Sequence, residues 1–371
     1  MTADAARRLG VLGGCTHAPR TTVRRIDRSA ERRPRSPKSA TRPIAIIPAF
    51  TRGLGPQRRV FVTGASGFVG SKVVTELRGA GHSVLGLARS DASAAAVAAA
   101  GAEVIRGDLT RPETLRSGAT QADAVIHLAF DHDFSKFKDN CENEREAIEA
   151  LGDALAGTKK LLIVTSGTGL VGSLGRPTTE DDPPRSEGGF PRAPEHAAEA
   201  IAKRGVRVAV VRLPQVHDTR RAGLVSFVVE VARRKGFVAY LGEGTNRWPA
   251  AHVEDVARLY RLALEKSRPA GYHGVAEDGV AMRPIADVLG KGLRLPVRSI
   301  APDEAPGYFG FEVLGSVVLR TIDDPEVLRS ATLHGRARAG GRSSSAASPR
   351  VNESRGDGLA AARAECGGAS C

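Results

Sequence analysis

Three glycines, Gly64, Gly67 and Gly70, recur at every third position in RRVFVTGASGFVGSKVVTELRGAG, which begins at Arg58. Val60, Phe61 and Val62 precede them as a short apolar run, and Val69, Val73 and Leu77 follow at four-residue spacing, so the glycines fall where a buried strand turns into an amphipathic helix. In that place Gly64 permits a tight turn, Gly67 admits a phosphate close to the backbone, and Gly70 lets helix pack on strand. With Ser66, Phe68 and Val69 the turn offers free N–H groups and the positive end of a helix dipole, the chemistry that holds a pyrophosphate. A dinucleotide site is therefore expected here, against the plainer reading of a glycine-rich turn that binds nothing. Arg89 and Ser90 stand at the end of the next apolar run, where an acid would select a free ribose 2'-hydroxyl. A guanidinium there can hold a 2'-phosphate, so NADP is the expected cofactor, with NAD left open by nearby Asp91 and by the plainer reading of Arg89 as a solvated arginine.

These residues need a scaffold, and the pattern around them supplies one. HSVLGLA, AEVIRGDL, ADAVIHLAF, KLLIVTSG and VRVAVVRLP read as further strands. Between them lie helical stretches: DASAAAVAAAG with Asp91 as candidate N-cap, RPETLRSG, NEREAIEALGDALAG with Ile148, Leu151 and Leu155 on one stripe, and a helix after Pro191. Six strands alternating with helices predict an α/β fold with a parallel, doubly wound sheet.

Of the net charge of +13, residues 1–57 carry +9 and residues 331–371 carry +3, which leaves the middle at +1. The basic excess sits on Arg-, Ser- and Pro-rich flanks that cannot bury enough apolar surface to order themselves. Nucleic acid is accordingly not an expected partner of the core, although the pI near 10.1 invites that reading. The N-terminal segment reads as disorder or an upstream extension, with an organelle import signal as the alternative. No apolar stretch approaches the roughly 18 residues of a membrane helix. Cys15, Cys366 and Cys371 lie in the flanks and Cys141 stands alone in the core, which gives no disulfide framework or cysteine metal site and suits a reducing, cytoplasmic setting.

Together TGASGFVG, RGDL, HLAF and LLIVTSG resemble the extended short-chain dehydrogenases, the NAD-dependent epimerase/dehydratase group. AFDHDFSKFKDNCENEREAIEALGDAL, VVRLPQVH and GTNRWPAAHVEDVARLYRLALEK look like an atypical branch of it. The resemblance implies a Rossmann-type dinucleotide-binding domain over 58–215 and a smaller substrate-binding part over 216–330. It also implies that Asp108 and Leu109 bind the adenine, that Ala129 and Phe130 line the ribose and phosphates, and that Pro214 closes over the nicotinamide. Val253, Val256, Leu259 and Tyr260 in the last of these stretches form a helical stripe, most of it core.

The branch departs from the family in one respect that bears on chemistry. Reduction of a carbonyl requires a proton donor and groups that stabilise the developing alkoxide. The family's tyrosine with lysine four residues on is missing: the fourth residues after Tyr240, Tyr260, Tyr272 and Tyr308 are Gly244, Leu264, Ala276 and Glu312. The family's Ser or Thr corresponds to Ser166 or Thr168, beside Thr165, and the tyrosine position falls between Phe190 and Arg192. Arg192 cannot give up a proton but could hold a carboxylate or an oxyanion. His132, His196 and His217 are the donor candidates, with a structural or exposed histidine as the plainer reading of each. Glu195 is expected to pair with Arg192 at the surface, His127 reads as structural, and Asn246, Arg247 and Trp248 line substrate or pack.

Two classes follow. One is an NAD(P)-dependent oxidoreductase or epimerase/dehydratase-like enzyme acting on a small carbonyl or hydroxyl substrate, a homodimer being one option. The other is a non-catalytic NADP-binding sensor or regulator, with a tail-mediated nucleic-acid or membrane-surface binder a distant third.

Overall fold

The computed structural model describes residues 56–171, 178–184 and 191–310. The flanking segments 1–55 and 311–371, and with them the expected C-terminal boundary at 330, lie outside the described residues, as does Phe190.

The alternation read from the sequence is present as β1 (Arg59–Thr63), α1 (Phe68–Gly79), β2 (Ser83–Ala88), α2 (Asp91–Ala99), β3 (Glu103–Arg106), α3 (Pro112–Thr120), β4 (Ala124–His127), α4 (Phe137–Leu155), β5 (Leu161–Gly167), α5 (Pro194–Lys203) and β6 (Arg207–Leu213). The chain continues through β7 (Gln215–His217), α6 (Val225–Lys235), β8 (Val238–Leu241), β9 (Arg247–His252), α7 (Val253–Lys266), β10 (Gly271–His273), β11 (Glu277–Ala281), α8 (Met282–Leu293), β12 (Val297–Ile300) and α9 (Ala305–Phe309).

Seven strands form one parallel sheet in the order β3-β2-β1-β4-β5-β6-β10. Both faces are covered, which is why β1 reads as a continuous apolar run. Val60 and Val62 point into a core shared with α1 and α7, and Phe61 points into the opposite core with Leu115, Ile148, Leu151 and Ile201 of α3, α4 and α5. Chain order reverses between β1 and β4, and that switch point opens a crevice at the carboxyl ends of the strands. The fold is thus the Rossmann-type doubly wound sheet that the alternation implies.

Three local features differ from expectation. Ser90, not Asp91, caps α2: its hydroxyl accepts from the Ser93 N–H and the Ser93 hydroxyl is returned to the Ser90 N–H, a reciprocal pair that leaves Asp91 free to meet Arg106 at 2.5 Å. Helix α4 begins at Phe137, earlier than its apolar stripe suggests, after a short 3-10 turn at Phe134–Lys136 whose cap is Asp133. And β10, from the C-terminal part, pairs in parallel with β6 at the sheet edge.

The C-terminal part packs around a separate core in which Trp248 joins Val228, Leu241, Met282 and Phe309. Helix α7 does not belong to it: Val253, Val256, Tyr260 and Leu264 face the main sheet, so that stripe is core.

Candidate functional site

A cleft of about 1330 Å³ runs along the carboxyl edge of the sheet, from Arg89 and Asp108 at one end to Arg192 and Phe227 at the other. At its centre the glycine turn is shaped by contacts that no side chain would allow. Gly64 has φ +69°, and a Cβ on it would stand 2.9 Å from the Ala129 nitrogen; one on Gly70 would stand 2.0 Å from the Gly64 carbonyl oxygen. Helix α1 thereby lies directly on the end of β1. Gly67 is its N-cap, no side chain caps it, and no acid occupies its first turn, so its free N–H groups open toward the cleft. Ser66, Phe68, Val69 and Gly70 line the cleft beside them.

Ala129 is held against this turn by a buried network. Thr63 Oγ1 accepts the Leu128 and Ala129 N–H groups at 3.2 and 3.3 Å and lies 2.9 Å from His127 Nδ1. With both lone pairs used, the hydroxyl proton goes to Nδ1, and His127 carries its own proton on Nε2, a buried atom without a hydrogen-bond partner among the described residues. Burial, with help from the Arg192 charge, lowers the His127 pKa to about 4. His127 is a structural residue of the strand end.

At the β2–β3 end of the cleft, Asp108 Oδ1 accepts from the N–H and hydroxyl of Thr110, at 3.0 and 2.9 Å, which fixes the carboxylate beside Leu109. Arg89 is exposed, lines the cleft, and meets Asp131 Oδ2 at 3.3 Å. Two further arginines, Arg220 and Arg221, also line the cleft near the α1 terminus. Asp218 Oδ1 accepts the backbone N–H groups of Arg220 and Arg221 at 2.7 and 2.8 Å, and the Arg221 guanidinium lies 5.6 Å from the Phe68 ring. The basic pair in HDTRRAG was the available signal.

The other end is built from buried ion pairs. Glu195 does not pair with Arg192. It is buried and takes Arg212 of β6 in a bidentate contact, with Arg212 Nε 2.9 Å from Oε1 and Nη2 2.7 Å from Oε2. Arg212 also donates to the carbonyls of Thr179 and Asp182 and approaches His273 of β10. The expectation failed because Arg192 precedes the first turn of α5 while Glu195 lies within it, facing the sheet. Arg192 instead meets Glu144 of α4, Nε to Oε2 at 3.0 Å and Nη2 to Oε1 at 2.7 Å, and its guanidinium stacks 4.2 Å above the centre of the Phe130 ring. Burial raises the Glu144 pKa, and the guanidinium pulls it back only in part.

Ser166 is buried and donates to Glu195 Oε1 at 2.6 Å; Thr168, also buried, reaches only the Leu213 carbonyl at 3.5 Å. Both, with Pro214, lie among the residues around the cleft. His132 opens on it, its ring packed edge-on against Phe130 and Phe134 at 5.1 and 6.2 Å. Desolvation, then the Arg192 charge, lowers its pKa. His196 is exposed on the same wall. The remaining candidates are elsewhere: His217 meets His252 edge to face, Trp248 packs in the C-terminal core, and Arg247 donates to the Gly279 carbonyl. None of the four tyrosines lines the cleft; Tyr260 is buried with its hydroxyl 2.7 Å from Thr165 Oγ1.

A doubly wound sheet with a glycine turn under an open helix terminus defines a dinucleotide-binding protein. Residues 60–274 match the NAD dependent epimerase/dehydratase family, and the chain belongs to that family. It is 44% identical over 259 residues to an uncharacterized protein of Schizosaccharomyces pombe, covering 68% of this chain and 86% of that one. It is 28% identical to the 4-hydroxy-2-methyl-3-oxo-4-farnesyl-3,4-dihydroquinoline-1-oxide ketoreductase of Stigmatella aurantiaca, over 60% of this chain and 68% of that one. Among solved structures, the dTDP-glucose 4,6-dehydratase DesIV of Streptomyces venezuelae with NAD bound has the same fold, with a TM-score of 0.54 and 22% identity over 66% of this chain and 84% of that one. A nicotinamide cofactor follows from the family, and the uncapped α1 terminus, into which a Cβ at Gly64 or Gly70 would intrude on backbone, fits it. No helix among the described residues is long and apolar enough to cross a membrane.

Proposed function

We propose that the protein is an NADP-preferring oxidoreductase acting on a small carbonyl or hydroxyl substrate. The observation that carries the cofactor choice is Arg89, exposed at the end of β2 on the cleft, with no acid at its own position and the neighbouring Asp91 turned to Arg106. Gly64, Ser66, Gly67, Phe68, Val69 and Gly70 would hold the pyrophosphate, Asp108 and Leu109 the adenine, and Ala129, Phe130 and Pro214 the ribose and nicotinamide. Bound there, the nicotinamide supplies or accepts a hydride.

The chain's own residues divide the remaining work. Arg192, anchored on Glu144 through Nε and Nη2, lines the cleft and would donate a hydrogen bond to a substrate oxygen. Ser166 and Thr168 have their hydroxyls directed at Glu195 and at the Leu213 carbonyl, so they support the wall and donate nothing to substrate in this arrangement. His132 is the proposed proton donor; because desolvation lowers its pKa from the ordinary 6.5, reduction should quicken as pH falls below 6.5, where more of it becomes protonated. His132→Asn should flatten that dependence. A slope that survives the substitution removes His132 from the proposal.

The cofactor claim is tested by titrating NADPH and NADH into the protein. A charge-assisted bond to phosphate is worth about 1.5 to 3 kcal/mol, so NADPH should bind roughly tenfold to a hundredfold more tightly. Arg89→Ala should erase most of the difference with NADH affinity nearly unchanged, and Arg89→Asp should invert it. Equal affinities for the two cofactors in the wild type would defeat the assignment. The committed Ser166 hydroxyl and the absent tyrosine favour a second reading, an NADP-binding sensor without turnover; NADPH binding with no oxidation across a panel of aldehydes and ketones would select it.

A further inference from the structure

Aromatic residues are scarce in this chain, with eleven phenylalanines in 371 residues, yet Phe68, Phe130, Phe134, Phe137 and Phe227 all line the one cleft. Phe68 lies at the α1 terminus. The other four form a wall at the far end with His132: Phe130 meets Phe137 at 6.0 Å, Phe134 meets Phe137 at 5.8 Å, and Phe134 meets Phe227 of α6 edge-on at 5.1 Å. Phe137 is buried, but Phe130, Phe134 and Phe227 are only half-buried and turn apolar area into the cleft, where it gains by being covered.

Two of the polar side chains at that end, Ser166 and Asn140, are committed, while Asn143, His196 and Glu230 also line the cleft. Ser166 donates to Glu195, and Asn140 Nδ2 donates to the Asp131 and Asp133 carbonyls. Arg192 is different: Glu144 takes Nε and Nη2, while Nη1 makes no hydrogen bond among the described residues. Its charge is nevertheless compensated by the buried Glu144 carboxylate. A ligand carboxylate at Nη1 would lie close to that second anion, whereas a neutral carbonyl brings only the negative end of a dipole to the same N–H groups. A sugar nucleotide would bury hydroxyls against rings that cannot bond them.

We infer that this end of the cleft takes an uncharged carbonyl compound with an aromatic or similarly flat apolar body, its ring against Phe130, Phe134 and Phe227 and its oxygen on Arg192, with Glu144 as the positioning residue that aims the guanidinium. This rests on the reading of the cleft as a nicotinamide-dependent reduction site and adds the class of substrate.

Isothermal titration of the full chain tests it with acetophenone, phenylglyoxylate as its carboxylated counterpart, and UDP-glucose, each with NADP+ present and absent so that no reduction occurs. Acetophenone should bind about tenfold or more tightly than either of the others. Phe227→Leu, which keeps bulk but removes the ring, should weaken acetophenone about fivefold and several times more than it weakens NADP+. Tighter binding of phenylglyoxylate or UDP-glucose, no binding of acetophenone, or equal acetophenone affinity in the variant would overturn the inference. Should Phe227→Leu fail to fold, the wild-type ranking of the three ligands decides. Acetophenone binding without any NADP+ binding would leave this inference standing and bring down the cofactor reading, so the two fail separately.

Discussion

The two ends of the cleft are made in different ways. At the Arg89 end the charged groups are exposed and lightly held: the Arg89 side chain is 68% exposed, and its partner Asp131 is 42% exposed. At the Arg192 end, Arg212–Glu195 and Arg192–Glu144 join side chains from different elements, and three of those four side chains are almost wholly enclosed. An exposed arginine is a recognition element that salt can screen and a neighbour can compete for. A buried pair contributes little over an apolar substitute, but it becomes very costly when one member is lost, because the other is left charged in a low dielectric. Function at the first end should therefore change without loss of stability, while at the second the two are tied together.

The largest effect expected from this contrast is at Glu195. Glu195→Ala strands Arg212 and releases its hold on the carbonyls of Thr179 and Asp182; it should cost about 3 to 5 kcal/mol, read from the urea midpoint. A change below about 1 kcal/mol would mean that water enters the site and that the two ends are less different than their exposure suggests.

Next is the pH dependence of stability. His127 has its pKa drawn from 6.5 to about 4 in the fold, so the unfolded chain binds a proton that the folded chain refuses. Stability should be greatest above pH 6.5 and should fall as pH drops toward 4, by up to about 3 kcal/mol from this residue, with the lowered His132 and His273 adding to the same slope. Urea denaturation of wild type and His127→Asn across that range should show a shallower slope in the variant; parallel slopes would assign the acid loss to other groups.

At the exposed end the effects are smaller and concern binding. Asp131→Asn should free Arg89 and strengthen NADPH binding by a few fold while leaving the denaturation midpoint in place. Raising the salt concentration should narrow the gap between NADPH and NADH. A preference indifferent to salt would place the phosphate in a more enclosed site than Arg89 offers. Smallest of all is Arg106→Ala, which removes a bridge to an almost fully exposed Asp91 and should leave thermal stability unchanged within error.

What could be read from the sequence was local. Each strand owes its run of apolar residues to burial on both faces, each helix its stripe to burial on one, and the glycine turn its spacing to contacts made within a few residues, as between Gly70 and the Gly64 carbonyl. The alternation of such units implied a parallel, doubly wound sheet, but its strand order, with β10 beside β6 at the edge, came only from the tertiary structure. Even locally, hydrogen-bond geometry could deceive: Asp91 is as good a capping residue as Ser90, and only the reciprocal Ser90–Ser93 bonds distinguish them.

The charged pairs were not legible. Arg192 and Glu195 are three residues apart and of opposite sign, the signature of a helical surface pair, yet the first finds Glu144 and the second Arg212. Sequence alone determined that this chain would form a doubly wound sheet with a glycine turn between its first strand and helix, because burial and turn chemistry act over short stretches of chain. Tertiary structure decided which charges are enclosed together, that the Ser166 hydroxyl donates a hydrogen bond to Glu195, and that scattered phenylalanines from β4's following loop, α4 and α6 form one wall. Those contacts join residues brought together by the packing of separate elements, and a charge leaves no periodic mark in the sequence to say where its partner lies.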